Sequence, residues 1–162
     1  MRVLLQRVSR ASVSVDDRET GAIGAGMLLL VGIAADDDAS ALHSMVEKIA
    51  NLRIFEDANG RMNLSARDRL ASGEQVGVLV VSQFTLYGDI RRGRRPSFSR
   101  AAAPELARPM VDRFSDLFAE QGLVVERGEF GAHMQVSLIN DGPVTIWIDS
   151  DDFKQPRRGD DE

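Results

Sequence analysis

Two uninterrupted apolar runs constrain this chain more than any other feature. Met27-Leu28-Leu29-Leu30-Val31-Gly32-Ile33 and Val76-Gly77-Val78-Leu79-Val80-Val81 are of strand length and show no polar alternation. A strand that is apolar at every position has both of its faces covered. The longest apolar stretch, residues 25–35, falls well short of the roughly 18 residues a membrane span needs. The runs therefore call for a layered fold, with a sheet packed on two sides.

The remaining chain supplies the layers. Val3-Leu4-Leu5-Gln6-Arg7-Val8 reads as a strand, and Ala11-Ser12-Val13-Ser14-Val15 alternates as a half-buried strand does. Asp16-Asp17-Arg18 is a turn, and residues 19–23 return as a strand. Asp36-Asp37-Asp38 offers carboxylates to cap a helix whose apolar stripe is Leu42, Met45, Val46, Ile49 and Leu52. Arg53-Ile54-Phe55 reads as a strand, Asp57-Ala58-Asn59-Gly60 as a turn, and residues 65–75 as a polar loop. Pro104 is placed to start a second helix, with the stripe Leu106, Met110, Phe114, Leu117 and Phe118 and a stop at Gly122. Pro109 inside that pattern predicts a kink or a delayed start. Late strands are expected at residues 123–126 and 135–139, and at 144–148 after an interruption at Asn140-Asp141-Gly142-Pro143. Residues 1–148 thus form one domain of the α/β class, with sheets packed together and two main helices covering one side. Residues 149–162 are dense in charge and read as a disordered tail.

Composition narrows the chemistry. The chain has no cysteine and only two histidines, His43 and His133. That removes disulfides, thiolate zinc sites and a cysteine nucleophile, and leaves little for a Ser-His-Asp triad. The net charge of −5 argues against a general grip on nucleic acid but not against a local basic patch. Met1-Arg2-Val3-Leu4-Leu5-Gln6-Arg7 has too short an apolar run for a signal peptide, so the cytoplasm is the expected compartment, with no membrane partner.

Three local features could carry chemistry. Ser82-Gln83-Phe84-Thr85 ends a buried strand, where α/β architectures place sites. Its hydroxyls and amide suit a polar substrate, although capping of the strand end is the plainer reading. Arg91-Arg92-Gly93-Arg94-Arg95 could contact phosphates, or be a solvated loop. Asn140-Asp141-Gly142-Pro143 reads as a turn, and a cis Gly-Pro bond there has a base rate of about 5–6%. His43 falls on a helix surface, and His133 is the one histidine placed to approach a site. No Walker loop, dinucleotide fingerprint or metal-ligand spacing is present.

Taken in order, these pieces resemble the D-aminoacyl-tRNA deacylases of the common bacterial and eukaryotic type. The resemblance runs through Gln6-Arg7-Val8, Ala11-Ser12-Val13, Gly21-Ala22-Ile23-Gly24, Arg53-Ile54-Phe55 and Met62-Asn63-Leu64. It continues in Ser82-Gln83-Phe84-Thr85-Leu86, Gly93-Arg94-Arg95-Pro96-Ser97-Phe98, Gly131-Ala132-His133-Met134 and Asn140-Asp141-Gly142-Pro143-Val144-Thr145. Each motif is weak alone; their joint order over residues 1–148 is specific.

The resemblance implies a three-layer β/β/α sandwich and a homodimer with its active sites at the interface. It implies hydrolysis of the ester joining a D-amino acid, or glycine, to the 3′ end of tRNA, without metal or organic cofactor. It implies assistance from the ribose 2′-hydroxyl, with Ser82, Gln83 and Thr85 in catalytic positions and Phe84 beside them on the pocket floor. The backbone N–H groups near Phe84 and Thr85 are the implied oxyanion donors, with Thr85 as nucleophile the weaker alternative. A cis Gly142-Pro143 is implied to enter the partner's site and reject L-amino acids, held by Arg7. Met134 is implied to line the adenosine pocket, and Arg92 and Arg95 to meet the tRNA acceptor end. The Ser-Gln-Phe-Thr form of the motif implies strict D-chirality with glycine tolerated. Two other readings compete: a non-catalytic tRNA- or RNA-binding module using the arginine loop, and a small-molecule hydrolase using Thr85 and His133.

Overall fold

A computed structural model describes residues 1–154. Eight strands and three α-helices follow in the order β1 (Arg2–Val15), β2 (Arg18–Ile23), β3 (Gly26–Gly32), α1 (Ala39–Ala50), β4 (Phe55–Glu56), β5 (Met62–Leu64), α2 (Ala66–Ala71), β6 (Gly77–Ser82), α3 (Pro104–Glu120), β7 (Val124–Arg127) and β8 (Gln135–Asp149). Short 3-10 turns occupy Phe84–Tyr87 and Ser150–Lys154.

The main sheet runs β2-β1-β3-β6-β7, with β8 on the other side of β1, and β4 and β5 form a separate ribbon. Its pairs are antiparallel except β3–β6 and β6–β7. β1 is long enough to serve two layers. Residues 2–8 pair with β3 and residues 11–15 with β2, while β8 follows it from end to end. The sheet therefore folds over itself.

Two cores record the three layers. On one face of β3 and β6, Leu29, Val31, Val78 and Val80 pack with Met45 and Ile49 of α1 and Phe114 and Phe118 of α3. On the other face, Leu28, Leu79 and Val81 pack with Val8, Val13 and Ile23, and with Val136 and Leu138 of β8. β3 and β6 are thus covered on both sides, as their unbroken apolar sequence requires. The result is a mixed α/β sandwich of helix, sheet and sheet.

Several local expectations are corrected. The two strands expected at residues 3–8 and 11–15 are one strand, irregular in register between Gln6 and Arg10. The expected break at residues 140–143 is likewise a distortion within β8. Gln6 faces Thr145 and Val8 faces Asn140, so residues 141–144 bulge out opposite Arg7. Residues 65–75 are not all loop. Ser65 and Asp68 form a reciprocal capping box that starts α2. α3 starts at Pro104 without delay and continues through Pro109. Leu106 stays exposed, and Val111 joins the buried stripe.

The tail assignment is also corrected at its start. The Met1 ammonium is bound by Asp37 Oδ1 and Ser150 Oγ, each at 2.5 Å, and the Ser150 N–H donates to the Met1 carbonyl at 2.9 Å. Phe153 packs against the main core. These contacts order residues 149–154; the remainder of the expected tail lies outside the described residues. Among the described residues, no helix is long and apolar enough to cross a membrane.

Candidate functional site

A cavity of about 560 Å³ opens at the C-terminal ends of β3 and β6. This volume falls in the range of pockets that hold small organic ligands. Ser82, Gln83 and Phe84 form one wall as β6 leaves the sheet. Ala102, Pro104, Ala107 and Val111 supply another from the start of α3. Phe130, His133, Met134 and Val136 close the third. Most of the lining is apolar, with a few polar groups from Ser82, Gln83 and His133, the usual makeup of a small-molecule site.

The wall at Ser82 is built by a change of backbone form. The Gln83 N–H still donates to Val31 of β3 at 2.7 Å, as the last sheet bond. The chain then turns into the 3-10 helix Phe84–Tyr87, closed by Leu86 N–H to Gln83 O at 3.3 Å and Gly88 N–H to Thr85 O at 2.9 Å. Phe84 and Thr85 lead this turn, so their N–H groups have no acceptor within it. Gly32 makes the arrangement possible. A Cβ at Gly32 would lie 3.0 Å from the Gln83 carbonyl oxygen and 3.3 Å from both Leu86 and Tyr87.

The side chains of the motif face different surroundings. Phe84 is 58% exposed and meets Phe98 edge to face, with ring centroids 5.0 Å apart. The Gln83 amide donates to the Thr85 hydroxyl. Thr85 is exposed and is not part of the cavity lining. His133 is in the lining, as expected for the one histidine near a site, and is exposed. His43 sits on the outer face of α1, its Nδ1 2.8 Å from the Ala39 carbonyl.

The structure brings Ser82, Gln83, Phe84 and Met134 together and leaves the other expected site residues elsewhere. Arg92 and Arg95 are exposed on a loop pinned at its base by paired bonds between Asp89 and Ser97. In that loop the bidentate bonds from Arg91 hold the Asp89 carboxyl well below its ordinary range. Arg7, Gly142 and Pro143 form a second cluster, outside the cavity lining. Arg7 is only 4% exposed. Its Nη1 donates to the Ile54 carbonyl at 2.7 Å and its Nε to the Asp141 carbonyl at 3.2 Å. The Asp141 and Glu56 carboxylates lie 3.1 and 3.6 Å away. The Gly142-Pro143 bond is cis, and Gly142 has a φ of +123°, where a side chain is disfavoured.

The sequence reading missed Phe130 and the α3 wall of Ala107 and Val111, which it assigned no site role. It also missed Gly32, Tyr87 and Arg2. The phenol of Tyr87 is raised above its ordinary range by burial, reinforced by the nearby Asp37 and Asp149 carboxylates. Among the described residues no three His, Cys, Asp or Glu side chains come together as a metal site would need.

Comparison with known proteins decides the family. The family model for D-Tyr-tRNA(Tyr) deacylase matches residues 4–149. The chain belongs to the D-Tyr-tRNA(Tyr) deacylase family. A D-aminoacyl-tRNA deacylase of Thermomicrobium roseum is 55% identical over 154 residues, covering 95% of this chain and 97% of that protein. One from Shouchella clausii is 54% identical over 151 residues, covering 93% of this chain and all of the relative. Among solved structures, a c-Myc DNA unwinding element binding protein superposes with a TM-score of 0.83 at 39% identity. The superposition covers 92% of this chain and 98% of that one. A probable eukaryotic D-amino acid tRNA deacylase, at 20% identity and a TM-score of 0.75, shares the fold. The family match spans both the cavity and the Arg7 cluster.

Proposed function

We propose that this chain hydrolyses the ester between a D-amino acid, or glycine, and the 3′ end of tRNA, releasing the amino acid and free tRNA. Membership of the deacylase family supports the reaction. The observation that carries the site assignment is the cavity floored by Ser82, Gln83 and Phe84, with the N–H groups of Phe84 and Thr85 leading a turn beside it. The apolar walls suit the terminal adenosine, with Met134 against it. In this reading the leading N–H groups donate to the charge growing on the ester oxygen during attack by water. Thr85 has the Gln83 amide as its hydrogen-bond partner, which cannot take its proton. Assistance from the ribose 2′-hydroxyl fits such a site better than a protein nucleophile does. The protein then contributes positioning and charge stabilisation, which together account for large accelerations.

The working unit in this reading is a homodimer in the cytoplasm. Leu4, Leu30 and Trp147 are cross-strand neighbours on one face of β3, β1 and β8, and Trp147 is 48% exposed. Covering that face with a second copy buries it. It also gives the Asp141-Gly142-Pro143 bulge, braced by Arg7, a partner cavity to enter. Gly142 and Pro143 then screen the amino-acid side, while Arg92 and Arg95 meet the acceptor-stem phosphates. The non-catalytic RNA-binding reading has only the arginine loop in its favour, on a chain of net charge −5.

The test is deacylation of matched D-tyrosyl-, L-tyrosyl- and glycyl-tRNA by the purified chain with chelator present. Loss of the D- and glycyl esters with the L-ester spared is the expected result. Comparable loss of the L-ester would remove the chirality assignment. No loss of any ester would leave the binding reading.

A further inference from the structure

The chain has one tyrosine and one tryptophan, and both rings lie against the same guanidinium. The Arg2 Cζ is 4.6 Å from the centroid of Tyr87 and 5.4 Å from that of Trp147. Tyr87 also lies 5.6 Å from the guanidinium of Arg100. Arg2 Nε donates to Asp149 Oδ2 at 2.8 Å, and Arg2 Nη1 donates to the Leu86 carbonyl at 2.9 Å. One half-buried side chain thus ties β8, the second residue of the chain and the end of the 3-10 helix into one assembly.

The Leu86 bond gives this assembly a bearing on the site. Leu86 lies in the last turn of that helix, where a carbonyl has no partner within the helix. Four residues of 3-10 helix are a weak element. Two residues before Leu86 stands Phe84, whose ring lines the cavity. What fixes the end of the turn therefore fixes where Phe84 and Thr85 present their N–H groups.

We propose that Arg2 is a positioning residue for the reaction, acting through Leu86 and Tyr87 on the Phe84-Thr85 segment. The inference rests on the site assignment made above. It needs arginine in particular: a planar fork reaches Asp149 and Leu86 together while its face lies on the rings, and a lysine ammonium serves only part of that set.

The test compares Arg2→Met, Arg2→Lys and Tyr87→Leu with the parent chain on D-tyrosyl-tRNA. It records kcat, KM, thermal midpoint and Trp147 emission, all well below the midpoint. The expected result for Arg2→Met is a kcat about tenfold lower with KM unchanged, since small misplacements of reacting groups cost rate rather than binding. Arg2→Lys falls between the two. Combining Arg2→Met with Tyr87→Leu lowers kcat by no more than the larger single effect, because both act through one assembly. A shifted Trp147 emission in Arg2→Met confirms that the assembly has opened in a folded protein. An unchanged kcat alongside that shift would overturn the proposal. So would a loss of rate that follows the unfolded fraction and vanishes on cooling, or a full loss in Arg2→Met that Arg2→Lys does not relieve at all. A parent chain that leaves D-tyrosyl-tRNA intact would instead remove the site assignment, and the proposal with it.

Discussion

Gly32 lies directly beneath Gln83, so close that a Cβ would stand 3.0 Å from the Gln83 carbonyl oxygen. The same Cβ would meet Leu86 and Tyr87, so no single side chain can step aside for it. The turn carrying Phe84 and Thr85 would have to lift away from β3. Gly32→Ala is therefore expected to cost about 1–3 kcal/mol through overpacking. It should lower kcat more than its stability loss explains, by about tenfold or more. Denaturant midpoints together with deacylation rates at a temperature where the variant is folded check this. A folded Gly32→Ala chain with the parent's rate would show that the turn need not sit so close.

Arg7 is a buried cation away from the cavity, and its partners come from two segments: Ile54 and Glu56 at β4, and Asp141 in the β8 bulge. Removing it leaves the buried Ile54 carbonyl without its donor and two carboxylates without their cation. Arg7→Ala should destabilise the fold by about 1–3 kcal/mol, the cost of leaving the buried Ile54 carbonyl unsatisfied, since both carboxylates are more than half exposed. Arg7→Lys keeps the charge but not the fork and should recover only part of that loss. Chemical denaturation of both variants measures it. Discrimination between D- and L-tyrosyl-tRNA should weaken in both, because the Asp141-Gly142-Pro143 bulge loses its brace.

Much of this was legible in the sequence, and what was not has physical reasons. The unbroken apolar runs at β3 and β6 announced strands covered twice. The stripe of α1 and the start of α3 at Pro104 followed from helical spacing and helix-start chemistry. Ser82, Gln83, Phe84 and Met134 were placed by motif order, and they do share one cavity. The fold of β1 over two layers was not legible, because strand periodicity says nothing about which partners a long strand takes. The ordered start of the tail was hidden too: residues 149–154 are held by the Met1 ammonium and the core, contacts between chain ends with no local signature. α2 was readable in principle, from the Ser65-Ala66-Arg67-Asp68 capping pattern, but its six residues carry too short a stripe to stand out. Gly32 and Arg2 gave no signal because their importance is spatial.

Asp149 gives the Arg2 assembly a pH signature. Burial alone would raise its carboxyl. The bond from Arg2, the Asp151 N–H and the charges of Arg2 and the Met1 ammonium outweigh burial and hold it below the ordinary value of 3.8. A carboxyl lowered on folding contributes stability that is present above its unfolded value and is lost as pH falls through its folded one. Asp57, Asp68 and Asp89, each lowered by local hydrogen bonds, act with the same sign. The thermal midpoint of the parent chain should thus exceed that of Asp149→Asn by a constant margin at neutral pH. That margin should close as the pH drops below about 4. A gap that persists at lower pH would mean that Asp149 acts through shape rather than charge.

Thr85 and His133 are the groups that a protein-nucleophile mechanism would need, and the geometry gives them little to work with. The Thr85 hydroxyl accepts a hydrogen bond from the Gln83 amide and has no base among its hydrogen-bond partners in the described residues. His133 stands in the cavity lining, while Thr85 does not. Removing a true nucleophile or its base costs about six orders of magnitude. Thr85→Ala and His133→Ala are each expected to retain activity on D-tyrosyl-tRNA to within about tenfold, since neither loss would touch the N–H groups or the substrate's own 2′-hydroxyl. A D-tyrosyl-tRNA ending in 2′-deoxyadenosine should instead lose most of its turnover. The three measurements divide the mechanisms cleanly. Collapse of Thr85→Ala and His133→Ala with an unaffected deoxy substrate would establish protein-borne nucleophilic catalysis. The opposite pattern would place the chemistry on the tRNA and leave the chain to position it.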